Sequence, residues 1–131
     1  MVIPASFLGS GPVATSESFT LTTHGFVVGD VLRKSSGSWA KAQANSIANA
    51  ASTVGVVIVV IDVNNFTIAF NGHATGLSGL TDGAVYWLSP TSAGAITATQ
   101  PSTSGQIIKE ILVASSTTTA MIRVSEGVEI P

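Results

Sequence analysis

Residues Val54-Gly-Val-Val-Ile-Val-Val-Ile61 form an apolar run in which every residue except the glycine is β-branched. Such side chains are stiff at the first torsion and pack well on a pleated surface, so the run predicts a strand. Its continuity predicts burial on both faces. At eight residues it is far shorter than the roughly 20 apolar residues a membrane-spanning helix needs. Asp62-Val-Asn-Asn65 supplies a turn, and Phe66-Thr-Ile-Ala-Phe70 then alternates with the period of two expected of a half-buried strand. A β-hairpin at the centre of the chain constrains everything packed against it.

The flanking sequence repeats that character. Phe19 and Leu21 alternate with Ser18, Thr20 and Thr22, and Gly29-Asp30 leads into Val31-Leu-Arg-Lys34. Ser35-Ser-Gly-Ser38 then makes a hairpin turn before Trp39. Further strands are predicted at Val85–Leu88, Ala95–Thr99, Ile107–Val113 and Ala120–Val124, with 126–131 as a short strand or extended end. Only Ala42–Ala51 suits a short helix, because its alanines favour one while its Asn and Ser residues weaken it. The expected fold is all-β, a small sandwich or barrel. Residues 1–17 carry Pro4, Gly9, Gly11 and Pro12 among small residues and read as an extended N-terminal arm on a single β domain, 18–131.

Sliding the chain against itself by 54 positions, the separation of Gly29 from Gly83, superposes Gly25 on Gly79, Val31 on Val85 and Ser35 on Ser89. At the same offset Val59 meets Val113 and Ile68 meets Ile122. Chance matching is the competing explanation in a chain rich in Gly, Ala, Ser and Val. The order of glycine, hairpin, long strand, turn and alternating strand favours a pseudo-repeat, 25–70 and 79–124, whose two units cover each other's apolar faces.

Composition narrows the function classes. Only 9% of the 131 residues are charged, against about 25% in an ordinary soluble domain, while 45% are hydrophobic. So few charges favour a protein that lives in an assembly over a free enzyme. The net charge of −2 gives no electrostatic footprint for nucleic acid. Without cysteine there is no disulfide framework, thiolate-bound zinc or thiol nucleophile. The N-terminus lacks the basic region of a signal peptide and is broken by Pro4, so synthesis in the cytoplasm of the producing cell is expected.

Candidate chemistry is sparse. His24 and His73 each adjoin a glycine in turn-like sequence, and neither belongs to a metal-binding spacing. Asp30 and Asp82 lie beside glycines, where aspartate bonds the local backbone. Asp62-Val-Asn-Asn65 has the start of an oxygen-ligand loop but lacks its later acidic ligand. Gly76-Leu-Ser-Gly79 fails the nucleophile-elbow pattern, with Leu80 where the second glycine belongs. Trp39, Tyr86 and Trp87 could form a sugar-stacking face, but Tyr86 and Trp87 point to opposite sides of one strand and suit packing better. No catalytic, cofactor or metal residue is assigned, and no enzymatic activity is expected.

Gly79-Leu-Thr-Asp-Gly-Ala-Val-Tyr-Trp-Leu-Ser89, Gly94-Ala-Ile-Thr97 and Ala114-Ser-Ser-Thr117 resemble small β-rich virion modules of tailed bacteriophages. In such modules a Gly-x-x-Tyr-x-Leu-Ser … Gly-x-Ile-Thr hairpin precedes a strand ending near Ala-Ser-Ser-Thr. His24-Gly-Phe-Val-Val-Gly-Asp-Val31 and Trp39-Ala-Lys-Ala42 fit the same style, so the resemblance spans about residues 23–124. These modules occur in capsid decoration (cement) proteins and in head and tail fibres. The resemblance implies a structural role on the virion surface and carries over no active-site residue. A decoration protein would bind the major capsid protein as a homotrimer and engage neither nucleic acid nor membrane. Its arm residues Val2, Ile3, Pro4, Phe7 and Leu8 are the candidate capsid contacts. The alternatives are a fibre module that binds a host receptor and a small-molecule-binding β-barrel.

Overall fold

The computed structural model describes residues 14–131, so the candidate contacts Val2, Ile3, Pro4, Phe7 and Leu8 lie outside the described residues. The fold is all-β, a curled antiparallel sheet that forms a half-barrel. In chain order the strands are β1 (Thr15–Thr20), β2 (Val31–Ser35), β3 (Ser38–Lys41), β4 (Thr53–Val60) and β5 (Asn65–Ala74). They continue as β6 (Val85–Leu88), β7 (Ile96–Thr97), β8 (Ile107–Ile108), β9 (Glu110–Ala114), β10 (Ala120–Arg123) and β11 (Val128–Glu129). One helical turn, α1 (Ile47–Ala50), starts at Ser46, whose hydroxyl accepts the Asn49 N–H at 3.2 Å. The β2–β3 hairpin turns through Ser36 and Gly37 at φ 49° and 77°, the two positive values that match the twist of the flanking strands.

The main sheet runs β3-β2-β4-β5-β10-β9-β6-β7, with β1 pairing β5 off that path. This order is a palindrome. β3, β2, β4 and β5 of the first half correspond to β7, β6, β9 and β10 of the second, and β5 meets β10 at the centre. The backbone bonding matches in detail. Gly29 donates to Val57 O as Gly83 donates to Ala114 O, both at 2.8 Å. Val57 returns a bond to Asp30 O, as Ala114 does to Ala84 O. Even the bulges correspond, at Leu32/Arg33 and at Tyr86/Trp87.

The correspondence is not at one offset, however. Val31 and Val85, 54 apart, pair with Val56 and Val113, which are 57 apart; those pair with Ala69 and Met121, 52 apart. Val59 and Ile68 are therefore not the counterparts of Val113 and Ile122, because the connections differ in length between the halves.

Two core clusters flank the first half of the sheet. One side holds Phe26, Leu32, Trp39, Val57, Phe66 and Ile68, with Phe19 and Phe70 packed against them. The other joins Val31, Val56 and Ala69 to Tyr86, Leu112, Ala114, Ala120 and Ile122 of the second half. β5 serves both clusters by alternation, Phe66 and Ile68 on one side and Ala69 on the other, and a bulge then switches which residues face which side. Thr15 and Ser16 of β1 face Asn71 and Ala69, so Phe70 is an extra residue. One extra residue inverts the facing of everything beyond it, which is how Phe66 and Ile68 point to one cluster and Ala74 to the other.

Three sequence expectations are corrected. β4 is buried on both faces only over Gly55–Val57, and Val59 and Val60 are exposed because β2 stops pairing at Val56. Ile107–Val113 breaks at Lys109 into β8, which pairs the tail strand β11, and β9, which joins the main sheet. β1 opens at Thr15, so residues 15–17 are paired to β5 although their polar side chains give no strand pattern.

Candidate docking surface

One corner of the molecule is built by the β4–β5 turn and the loop between β1 and β2. The Asp62 carboxylate accepts the Asn64 N–H at 2.8 Å and the Asn65 side-chain amide at 2.9 and 3.0 Å. The bond from the Asn64 backbone, then that from the Asn65 side chain, hold the Asp62 carboxyl below its ordinary value. The loop docks on this turn through Thr23 N–H to Asn64 Oδ1 at 2.9 Å and His24 N–H to Val63 O at 3.1 Å. The His24 ring completes the joint. Its Nε2 lies 2.8 Å from Asp62 O, and its Nδ1 accepts the Phe26 N–H at 2.9 Å. Those partners require the neutral tautomer with the proton on Nε2. The ring also stacks on Phe26 and meets Phe66 edge-on, at 5.5 and 5.0 Å between centroids. At the loop's far end the Asp30 carboxylate accepts the Val27 N–H at 3.0 Å.

On this braced frame Val27, Val28, Val59, Val60, Ile61 and Val63 are 38% to 61% exposed. Scattered apolar residues on a surface need no explanation, but six exposed aliphatic side chains concentrated on two hydrogen-bonded segments make this corner the candidate interaction surface, although Val59 and Val60, consecutive in β4, point to opposite faces.

At this corner, where Val28 is a lining residue, a cleft of about 310 Å³ opens between the two halves of the fold. Val28, Asp30 and Val56 line it from the first half, Leu80, Ile96 and Leu112 from the second, and Leu77 from the connection between them. Leu77 and Leu80 are held by backbone bonds to Thr118 O and Thr117 O. Asp30 is the charged residue of this lining and is only 8% exposed. Its Oδ2 takes the Val27 N–H and sits 3.7 Å from Lys41 Nζ. Its Oδ1 lies toward Gly94, another residue of the lining.

The remaining candidates are dispersed. His73 sits in β5 opposite Met121, away from the His24 turn. Trp39 is buried under Phe19 with Lys34 Nζ 4.2 Å from its ring, Tyr86 is buried with its hydroxyl accepting the Thr81 N–H, and Trp87 is half-buried. The three aromatics therefore do not share a face. Among the described residues no three His, Asp or Glu side chains converge as a metal cage, and no helix is long and apolar enough to cross a membrane.

Sequence reading missed the apolar corner and the burial of Asp30. Alternating or continuous hydrophobicity names strand residues but not which end of a strand outruns its neighbours. No protein-family model, curated protein or solved structure matches the chain.

Proposed function

We propose that this protein is a structural virion module that decorates a bacteriophage capsid, binding the outer surface of the shell as a homotrimer and catalysing no reaction. The observation that carries this reading is the braced aliphatic corner: Val27, Val28, Val59, Val60, Ile61 and Val63 stand exposed on backbone that hydrogen bonds already hold in place. A surface rigid before contact loses little conformational entropy on binding, so its apolar area converts more fully into affinity. The resemblance of residues 23–124 to virion modules suggests the shell as the partner, and the low charge of 9% suits a surface that becomes an interface.

A subunit that bridges neighbouring capsomers binds the assembled shell and not the dissociated one. It then stabilises assembly by RT ln(1 + [L]/Kd), about 2.7 kcal/mol per site at a hundredfold excess over Kd. Particles with the protein are expected to release nucleic acid at a higher temperature than particles without it. Equal release temperatures would overturn the decoration reading, and loss of host adsorption in the depleted particles would put a receptor-binding fibre module in its place. Light scattering at tens of micromolar is expected to give a trimer mass.

A further inference from the structure

We infer that Asn71 is a self-modification site, converted without an enzyme to aspartate and isoaspartate through a succinimide formed with the Gly72 backbone nitrogen. The inference does not depend on the docking role proposed above. Asparagine is among the chemically labile residues, and the chain has five. Asn71 is the one followed by glycine; Ser46, Ala50, Asn65 and Phe66 follow the others. Glycine lacks the side chain that otherwise shields the attacking nitrogen, so ring closure is fastest there. Side-chain hydrogen bonds set the other four apart as well. Asn45 is bonded to Asn49, Asn64 to the Thr23 N–H, and Asn65 to Thr20 and Asp62. Asn71 is exposed and has no such bond among the described residues. Its backbone is not regular strand either. Phe70 is the extra residue of the bulge against β1, and Gly72 sits at φ 88°, a left-handed value open to glycine. A regular strand would direct the Gly72 nitrogen away from the preceding side chain, and the bulge relaxes that constraint.

In the first step the Gly72 nitrogen attacks Asn71 Cγ. The N–Cγ bond forms, the Cγ–Nδ2 bond breaks, and ammonia leaves with the proton that Gly72 carried. Water then opens the ring, and nothing is oxidised or reduced. Opening at Cγ leaves aspartate, whereas opening at the Asn71 main-chain carbonyl carbon leaves isoaspartate, with the main chain rerouted through Cγ. Both products put a carboxylate on β5 opposite Arg123 of β10. Arg123 Nε already donates to Glu110 Oε1 at 2.9 Å, so the new charge joins an existing ion pair. Isoaspartate also adds a main-chain carbon at the residue where β5 pairs both Thr15 of β1 and Arg123 of β10. The aspartate form therefore keeps the joint between the halves, and the isoaspartate form loosens it.

The test is incubation of the folded full chain in mildly alkaline buffer, followed by ion exchange, intact mass and peptide mapping. Acidic species are expected, with the mass change from amide to acid mapping to Asn71. Asn71→Gln is expected to slow their formation at least tenfold, because glutamine would have to close a six-membered ring. Asn71 does not have a positive φ, so glutamine fits its backbone. Should that variant fail to fold, Asn71→Ser, which has no amide to lose, makes the same comparison. Modification spread evenly over the five asparagines would overturn the inference. So would a native chain that stays unmodified while the chain unfolded in urea reacts at Asn71, since the paired strand would then be holding Gly72 away. Once separated, the isoaspartate form is expected to melt below the wild type, and Asn71→Asp is expected to melt with it or above it. Equal melting of the isoaspartate form and the wild type would overturn the loosening of the joint.

Discussion

Gly55 in β4 is set by close approach and not by unusual backbone angles. A Cβ there would overlap the Ala69 carbonyl oxygen and come within 2.8 Å of Ile68 Cγ2, so the strand pair could accept it only by separating. Gly55→Ala is expected to cost about 3 kcal/mol, at the upper end of overpacking effects, seen as a lower urea midpoint with an unchanged slope. A loss below about 1 kcal/mol would show that β4 and β5 can part without penalty. Lys109 is the opposite kind of residue, a charge whose burial is tolerated. It is 3% exposed, and its ammonium donates to Glu126 O at 3.0 Å. Desolvation lowers its pKa below the ordinary 10.5, and the nearby Glu126 carboxylate offsets part of that. The unfolded chain therefore holds this proton more tightly than the folded one. The resulting penalty is fully present below the folded value and is relieved as pH rises through it toward 10.5. Lys109→Met is expected to match or exceed the wild type by up to about 1 kcal/mol at pH 7, and to show a smaller advantage at about pH 10. Parallel urea curves at the two pH values would show whether the difference between the proteins narrows as stated.

At the scale of elements, the tail acts as a clasp. β11 pairs β8 through Val128–Ile108 and Glu129–Ile107, and Gly105 and Gln106 exchange bonds with Ile130. Gly127 lies close enough to Ile107 that a Cβ would stand 3.0 Å from Cγ2. Removing residues 126–131 takes the cover from Ile107 and Lys109 but leaves the main sheet intact. The truncated chain is expected to keep its far-UV circular dichroism and to lose about 2 kcal/mol, a fall in Tm of roughly 6–10 °C. Collapse of the β signal would instead mean that the tail is part of the main core. The corner at His24 behaves similarly on a smaller scale. His24→Ala removes the acceptor of the Phe26 N–H and two aromatic contacts. A loss of about 1–2 kcal/mol is expected, with faster hydrogen exchange at the Phe26 amide.

The whole molecule unites two similar halves around one shared cluster. Val31, Val56 and Ala69 of the first half are buried against Tyr86, Leu112, Ala114 and Ile122 of the second. Separating the halves would expose that entire face. One unfolding transition is expected, with calorimetric and van't Hoff enthalpies in a ratio near one, and neither 14–78 nor 79–131 is expected to fold alone. A ratio well above one, or a folded half, would show two independent cores.

What the sequence by itself determined was local. β-Branched runs, period-two alternation and turn residues such as Asp62–Asn65 and Ser36-Gly37 act over a few neighbours, so the all-β class, the two hairpins of the first half and the short helix were legible from composition and order alone. Burial is a long-range property, and only the tertiary structure decided it. Whether Val59 and Val60 meet solvent depends on where β2 stops, and whether Phe66 and Ala74 share a side depends on the extra residue at Phe70. Asp30 and Lys109 have the sequence signature of surface charges, yet they are enclosed by strands from distant parts of the chain. Sequence composition pointed instead to an arm contact at Val2, Ile3, Pro4, Phe7 and Leu8, which lie outside the described residues. The corner and the cleft were invisible to it, since their residues are separated along the chain and are brought together only when the sheet curls and its two halves pack face to face.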